Sequence, residues 1–205
     1  MIGFTAGVTL WPMKRVCIFC GSSTGTDPEF ARCARQLASG LAAAGLEVVY
    51  GGARCGLMGI VADAALEAGG RVIGVLPHAL KERELAHPRL TSLHLVASMH
   101  ERKALMADLS DAFVALPGGF GTLDEFCEIL TWAQLGIHAK PCALLNVNGF
   151  FDGFLGQVQS AIAGGLTRPE HAALIRVATT AEDVLPRLRE PVGAVLPKWM
   201  ESTGR

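Results

Sequence analysis

No uninterrupted run of about 18 apolar residues occurs in the 205-residue chain, and a membrane-spanning helix needs about that length. No long basic block occurs either. Net charge is −1 with a pI near 6.6, so binding to nucleic acid by neutralising its backbone has little to rest on. The first twelve residues lack a basic leading region, and Lys14 and Arg15 lie on the wrong side of them for a secretory signal. Internal repeats and low-complexity linkers are missing, which argues against repeat architectures and against several tethered domains. Lysine is scarce: positions 14, 81, 103, 140 and 198 are all there are. Cys17-x-x-Cys20 has no second Cys/His pair spaced to complete a zinc site. It also closes an apolar strand-like run, whereas a redox pair opens a helix. No metal and no cofactor are therefore expected. The six cysteines read as reduced thiols in a reducing, cytoplasmic compartment.

What the chain does have is apolar bulk. Half of it is hydrophobic, 18% is charged, and mean hydropathy is +0.36. A sheet covered on both faces or a subunit interface must absorb that surplus. Short apolar runs at Arg15–Cys20, Leu46–Tyr50, Arg71–Leu76, Ser92–Val96, Ala112–Leu116, Pro141–Asn146 and Leu174–Ala178 read as strands. Helical patterns fall between and after them, at 28–44, 57–69, 98–110, 122–136, 150–164 and 180–190. This alternation predicts an α/β, Rossmann-like, doubly wound and mostly parallel sheet of about seven strands. A single domain is expected over 13–190, with a loose extension at 1–12 and an irregular tail at 191–205.

In such a sheet, ligands sit beyond the carboxyl ends of the strands. Strand one ends in Cys20-Gly21-Ser22-Ser23, small enough for close approach to a ligand, or a tight turn with a capping serine. Strand two ends in Gly51-Gly52-Ala53-Arg54-Cys55-Gly56-Leu57-Met58-Gly59. Its four glycines suit positive φ or close backbone approach.

The turn after strand four, Ala97-Ser98-Met99-His100-Glu101-Arg102-Lys103, carries the capping box Ser98-x-x-Glu101, so a helix starts at Met99. Arg102 and Lys103 then oppose the helix dipole. Arg102 shares a face with Leu105, Met106 and Leu109, which turns it toward the core edge. There it wants a carboxylate or a phosphate. A structural ion pair with Asp124 or Glu125 is the plainer alternative.

Strand five ends in Pro117-Gly118-Gly119-Phe120-Gly121-Thr122-Leu123-Asp124-Glu125. Glycines feeding a helix start expose backbone N–H groups to an anion. Thr122 can cap that helix and donate to a phosphate. Glu125 is either the second member of a Thr122-x-x-Glu125 capping box or, on a stripe with Ile129 and Trp132, an inward carboxylate suited to acid/base or cation-stabilising work.

The combination Ser98-Met99-His100-Glu101-Arg102-Lys103 with Pro-Gly-Gly-Phe-Gly-Thr-Leu-Asp-Glu at 117–125 closely resembles the LONELY GUY family of cytokinin riboside 5′-monophosphate phosphoribohydrolases, long mislabelled lysine decarboxylases. The likeness runs over about residues 14–190. It includes Cys20-Gly21-Ser22-Ser23 and Thr131-Trp132-Ala133-Gln134-Leu135-Gly136. The resemblance implies a Rossmann-like homodimer with sites near the interface. It also implies cleavage of a nucleoside 5′-monophosphate to a free N6-modified adenine and ribose 5-phosphate. By matching positions, Arg102 and Glu125 would be the catalytic pair. Gly118, Gly119, Phe120, Gly121, Thr122, Leu123, Asp124, Lys103, Glu84, Thr131, Gly21 and Ser22 would contact substrate.

Two other readings compete. A non-catalytic nucleotide or molybdenum-cofactor carrier on the same fold would not need the Arg102 and Glu125 pair. A nicotinamide oxidoreductase would need G-x-G-x-x-G after strand one and an acidic residue ending strand two, where the chain has Gly21-Ser22-Ser23 and Tyr50-Gly51-Gly52. Decarboxylation of lysine needs a Schiff-base lysine holding pyridoxal phosphate. None of the five lysines offers itself, Lys103 included.

Overall fold

The structure is a computed structural model, and it describes residues 13–81 and 85–191. The extension at 1–12, the tail from 192 onward and Glu84 lie outside the described residues.

Seven parallel strands form one sheet: β1 (Arg15–Phe19), β2 (Glu47–Tyr50), β3 (Val72–Pro77), β4 (Ser92–Val96), β5 (Ala112–Ala115), β6 (Cys142–Leu145) and β7 (Ile175–Ala178). The helices are α1 (Pro28–Ala43), α2 (Gly56–Glu67), α3 (His78–Lys81), α4 (Met99–Leu109), α5 (Phe120–Gln134), α6 (Asp152–Ala163) and α7 (Ala181–Arg189). The α/β, doubly wound fold expected from the alternation is the one observed. The short α3 and the 3₁₀ turns Val147–Gly149 and Pro169–Leu174 were not expected. They are one or two turns long, too short to carry a hydrophobic period.

Strand register explains the apolar surplus. Along β1, Val16 and Ile18 face one side while Cys17 and Phe19 face the other. Side chains alternate across a strand, so a fully covered strand reads as a continuous apolar run. One face packs on α1, α2 and α7 through residues such as Leu37, Leu57 and Val184. The other packs on α4, α5 and α6 through Met106, Phe126 and Phe154. Phe113 and Phe126 are fully buried, and each contributes about 1.5–3 kcal/mol.

Strand order is β4-β3-β2-β1-β5-β6-β7. The order reverses at β1, which pairs with β2 on one side and β5 on the other. The carboxyl ends of β1 and β5 therefore flank the switch point, where such sheets open a crevice.

Candidate active site

Turns from β1, β2 and β5 meet at that crevice. The Gly21 amide donates to the Pro117 carbonyl at 3.1 Å, and the Leu57 amide donates to the Gly21 carbonyl at 3.1 Å. Gly56, at φ +58°, lies so close to the Ser22 backbone that a Cβ would sit 2.2 Å from the Ser22 carbonyl carbon. The Ser22 and Ser23 side chains stay exposed. The glycines of these turns thus serve close packing of three loops on one another.

Arg102 comes from the opposite direction, off the first turns of α4. Ser98 caps this helix, its Oγ accepting from the Glu101 amide at 3.1 Å. The Glu101 carboxylate reaches back to the Ala97 amide at 2.9 Å, one residue before the cap. With the start held this way, Arg102 points inward and is 8% exposed. Its Nε donates to the Val75 carbonyl at 3.1 Å, and its Nη1 donates to Glu125 Oε1 at 2.6 Å. A Cβ on Gly51 would stand 2.0 Å from Arg102 Nη2, so Gly51 is what lets the guanidinium in. Arg102 Nη2 and Glu125 Oε2 make no hydrogen bond among the described residues.

Glu125 is 7% exposed on the first turns of α5. Burial pushes its carboxyl above the ordinary carboxylate range, and the charge and hydrogen bond of Arg102 pull it back only in part. The cap expected at Thr122 is corrected: α5 starts at Phe120 with Gly119 as its N-cap, and no side chain caps it. Gly119 takes the extended backbone of a cap, which moves Thr122 inside the first turn. There Thr122 is buried at 3%, and a Cβ on Gly118 would sit 2.1 Å from its Oγ1. Glu125 consequently lies a full turn beyond any capping position and is free for the core edge. The caps of α1, α4 and α7 are hydrogen-bonded by Asp27, Ser98 and Thr180. The α5 start, beside the Arg102–Glu125 pair, has neither a side-chain cap nor an acidic residue in its first turn. Its orphan N–H groups and dipole face the crevice.

The other sequence candidates divide. Gly118, Gly119, Gly121 and Thr122 line the α5 start, and Phe120 projects from it at 94% exposure. Leu123 is half-buried against the apolar layer under α5. Lys103 does not meet an open phosphate seat: its ammonium is held by Asp124 at 3.0 Å and Glu128 at 3.2 Å. Thr131 is about 9 Å further along α5 than Glu125, at about 1.5 Å per residue. It is exposed and donates to the Cys127 carbonyl at 2.8 Å. Within one chain it is not brought to the pair. The Val75 carbonyl and Gly51 were missed as supports of Arg102. No motif surrounds Val75, and Gly51 stands among four glycines that look alike in sequence.

Together these features place a buried arginine–carboxylate pair and an uncapped helix start at the switch point of a Rossmann-like sheet. The chain belongs to the LONELY GUY family. The family model described as "possible lysine decarboxylase" matches residues 58–188. A probable cytokinin riboside 5′-monophosphate phosphoribohydrolase of Oryza sativa subsp. japonica is 48% identical over 91% of this chain and 82% of its own length. The cytokinin riboside 5′-monophosphate phosphoribohydrolase of Rhodococcoides fascians is 45% identical over 87% of this chain and 90% of its own length. Among solved structures, the molybdenum cofactor carrier protein of Chlamydomonas reinhardtii shares the fold. Its TM-score is 0.64 at 21% identity, covering 85% of this chain and 94% of that one.

The decarboxylase wording in the family description implies pyridoxal phosphate, and the lysine beside the site does not fit it. An imine-forming lysine needs a depressed pKa. The acceptors of Asp124 and Glu128 outweigh burial at Lys103 and hold its ammonium above the ordinary lysine range. Lys140 donates to the Ala107 carbonyl at 2.8 Å. Among the described residues, no group of three or more His, Cys, Asp or Glu is set to hold a metal ion.

Proposed function

We propose that the protein hydrolyses the N-glycosidic bond of N6-modified adenosine 5′-monophosphates, releasing the free base and ribose 5-phosphate. The observation that carries this is the buried Arg102–Glu125 pair, 2.6 Å apart, beside the uncapped start of α5 at the switch point. The free N–H groups of Phe120, Gly121 and Thr122, with the Thr122 hydroxyl, hold the 5′-phosphate. Cleavage passes through an oxocarbenium-like state, positive at the ribose. Glu125 stabilises that cation and takes a proton from the attacking water. The hydroxyl adds to C1′, the C1′–N9 bond breaks, and the proton ends on the departing base. Arg102 keeps Glu125 ionised and aimed, and its Nη2 remains for the substrate. Lys103 is an outer contact, reaching a phosphate only by leaving one of its two carboxylates.

The relatives named phosphoribohydrolases support this reading. A homodimer fits the same surface. Phe120 is 94% and Ile137 65% exposed at the two ends of α5, and Leu130 and Trp132 between them are only partly covered. A partner over α5 would bring its own surface to Thr131 and to the site mouth. Six free cysteines favour a reducing, cytoplasmic compartment. No helix among the described residues is long and apolar enough to cross a membrane.

Incubation with AMP and with isopentenyladenosine monophosphate, followed by chromatography for free base, tests the proposal. Base release from the N6-modified nucleotide is the expected result. Tight binding with no base from either overturns it in favour of a carrier. A nucleoside lacking the phosphate is expected to be a poor substrate, and equal turnover would remove the phosphate cradle.

A further inference from the structure

Next to the β2 turn, a segment that no part of the proposed chemistry uses is tied down by both backbone and side-chain bonds. After β3 and α3 the chain runs back past the β2 turn at residues 85–90. Two backbone bonds fasten it there: the Arg54 amide donates to the Leu85 carbonyl at 2.9 Å, and the His87 amide donates to the Gly52 carbonyl at 2.9 Å. Ala53 and Ala86 form an isolated antiparallel bridge between them. The strap is also pinned from α2. Asp63 lies 3.2 Å from His87 Nε2 and is bridged by the Arg89 guanidinium as well. His87 is 6% exposed.

The hydrogen bonds assign the imidazole tautomer. The Arg89 amide donates to His87 Nδ1 at 3.3 Å, so Nδ1 is the acceptor. The ring proton then sits on Nε2 and donates to Asp63. A buried imidazole using both nitrogens has one orientation. Through it, α2, the strap and the Gly51–Gly56 turn become one rigid wall. That wall ends at Gly51, whose backbone lies directly against Arg102 Nη2.

We infer that His87 and Asp63 are positioning residues for the Arg102–Glu125 pair: the latch holds the β2 turn at the depth that aims the guanidinium. This rests on the proposed hydrolysis. Neither residue touches the pair, so the effect is on geometry. Loss of outer support around metal sites lowers activity by roughly ten- to a hundredfold, and misplacement of reacting groups by about 1 Å costs about a hundredfold.

The test uses the full chain with His87→Ala, Asp63→Ala and the conservative His87→Gln, whose amide can still donate to Asp63. The expected result with isopentenyladenosine monophosphate is a roughly tenfold or larger fall in kcat for the two alanine variants, a smaller change in KM, and substantial recovery in His87→Gln. Wild-type kcat in His87→Ala, or a loss that follows only the folded fraction and is not recovered in His87→Gln, overturns the inference. Hydrogen exchange supplies a readout independent of turnover. Amides at 51–56, 85–87, 89 and 90 are expected to exchange faster in His87→Ala and to be protected again in His87→Gln. Unchanged exchange at 51–56 overturns the inference even if the wild-type protein releases no base, a failure that would count against the hydrolase reading instead.

Discussion

Two neighbouring cations of α4 pair with carboxylates of α5, and the two sets behave differently. Arg102 meets Glu125 under the rim of the sheet, with side chains 10% and 9% exposed. Lys103, with a side chain only 10% exposed, meets Asp124 at 61% and Glu128 at 28% exposure between the same two helices. In the inner pair, burial leaves Glu125 with a raised pKa, and each partner has one polar atom without a hydrogen bond among the described residues. In the outer one, two carboxylates surround one ammonium and hold it charged. Adjacent positions in sequence thus serve different ends. The inner pair holds a carboxylate under tension between burial and a cation, as acid/base chemistry requires. The outer one joins two helices.

The sharpest break is Glu125→Gln or Arg102→Met. Each is expected to lower base release by about a thousandfold, on the scale of removing an electrostatic transition-state contact. Circular dichroism should report a folded protein, and activity within about tenfold of wild type would end the catalytic assignment of that residue. Arg102→Met should also cost about 3–5 kcal/mol in chemical denaturation, because an ionised Glu125 would be left buried without its cation. Glu125→Gln should cost a comparable amount, since the Arg102 guanidinium is then left buried without its counter-charge.

Next in size is Gly118→Ala. The added Cβ would meet Thr122 Oγ1 at 2.1 Å and the Gly21 amide nitrogen at 2.9 Å, so the cradle itself must shift. KM for the nucleotide should rise about tenfold or more if, as proposed, the pre-formed N–H geometry of this turn binds the phosphate.

Titration of Glu125 by NMR separates the two pairs on one scale. Its midpoint should lie above the ordinary carboxylate range because of burial. Both Arg102 and Lys103 lower it, Arg102 more. Removing either cation therefore moves the midpoint up, by more in Arg102→Met than in Lys103→Met. In the proposed mechanism catalysis needs the carboxylate, so the acid limb of kcat/KM should follow in the same direction: activity is lost as pH falls through that midpoint. A midpoint in the ordinary range would mean that the pair is solvated.

The smallest effect is expected from Lys103→Met, about 0.5–1 kcal/mol in stability and a few-fold in KM, as befits an ion pair with an exposed partner. A collapse of kcat there would erase the contrast between the two pairs.

Much of this arrangement was legible in the linear chain. Continuous apolar runs alternating with 3.6-period segments specify seven strands and the helices between them. The Ser98-x-x-Glu101 spacing locates the start of α4 at Met99, where it lies. The stripe shared by Glu125, Ile129 and Trp132 foretells an inward carboxylate. The Thr122-x-x-Glu125 spacing misleads, because the same residues at the same separation describe a capping box and a helix that has already begun. The orientation of Gly119 decides between them. The role of Gly51 was illegible for a similar reason. Among Gly51, Gly52, Gly56 and Gly59 only contact with a side chain 51 residues away marks it, since Arg102 Nη2 occupies the space its Cβ would need.

By itself, the amino-acid order determined the layered fold, the sheet edge on which the informative turns fall, and the residue types that reach it. These are local properties, set by side-chain period, caps and glycine content within a dozen residues or so. Only the tertiary structure decided which charges meet. Whether Arg102 takes Glu125 or an open anion, and whether Lys103 is free or held by Asp124 and Glu128, depends on how α4 settles against α5 over a shared apolar layer. Packing fixes that approach to within an ångström, and spacing along the chain does not encode it.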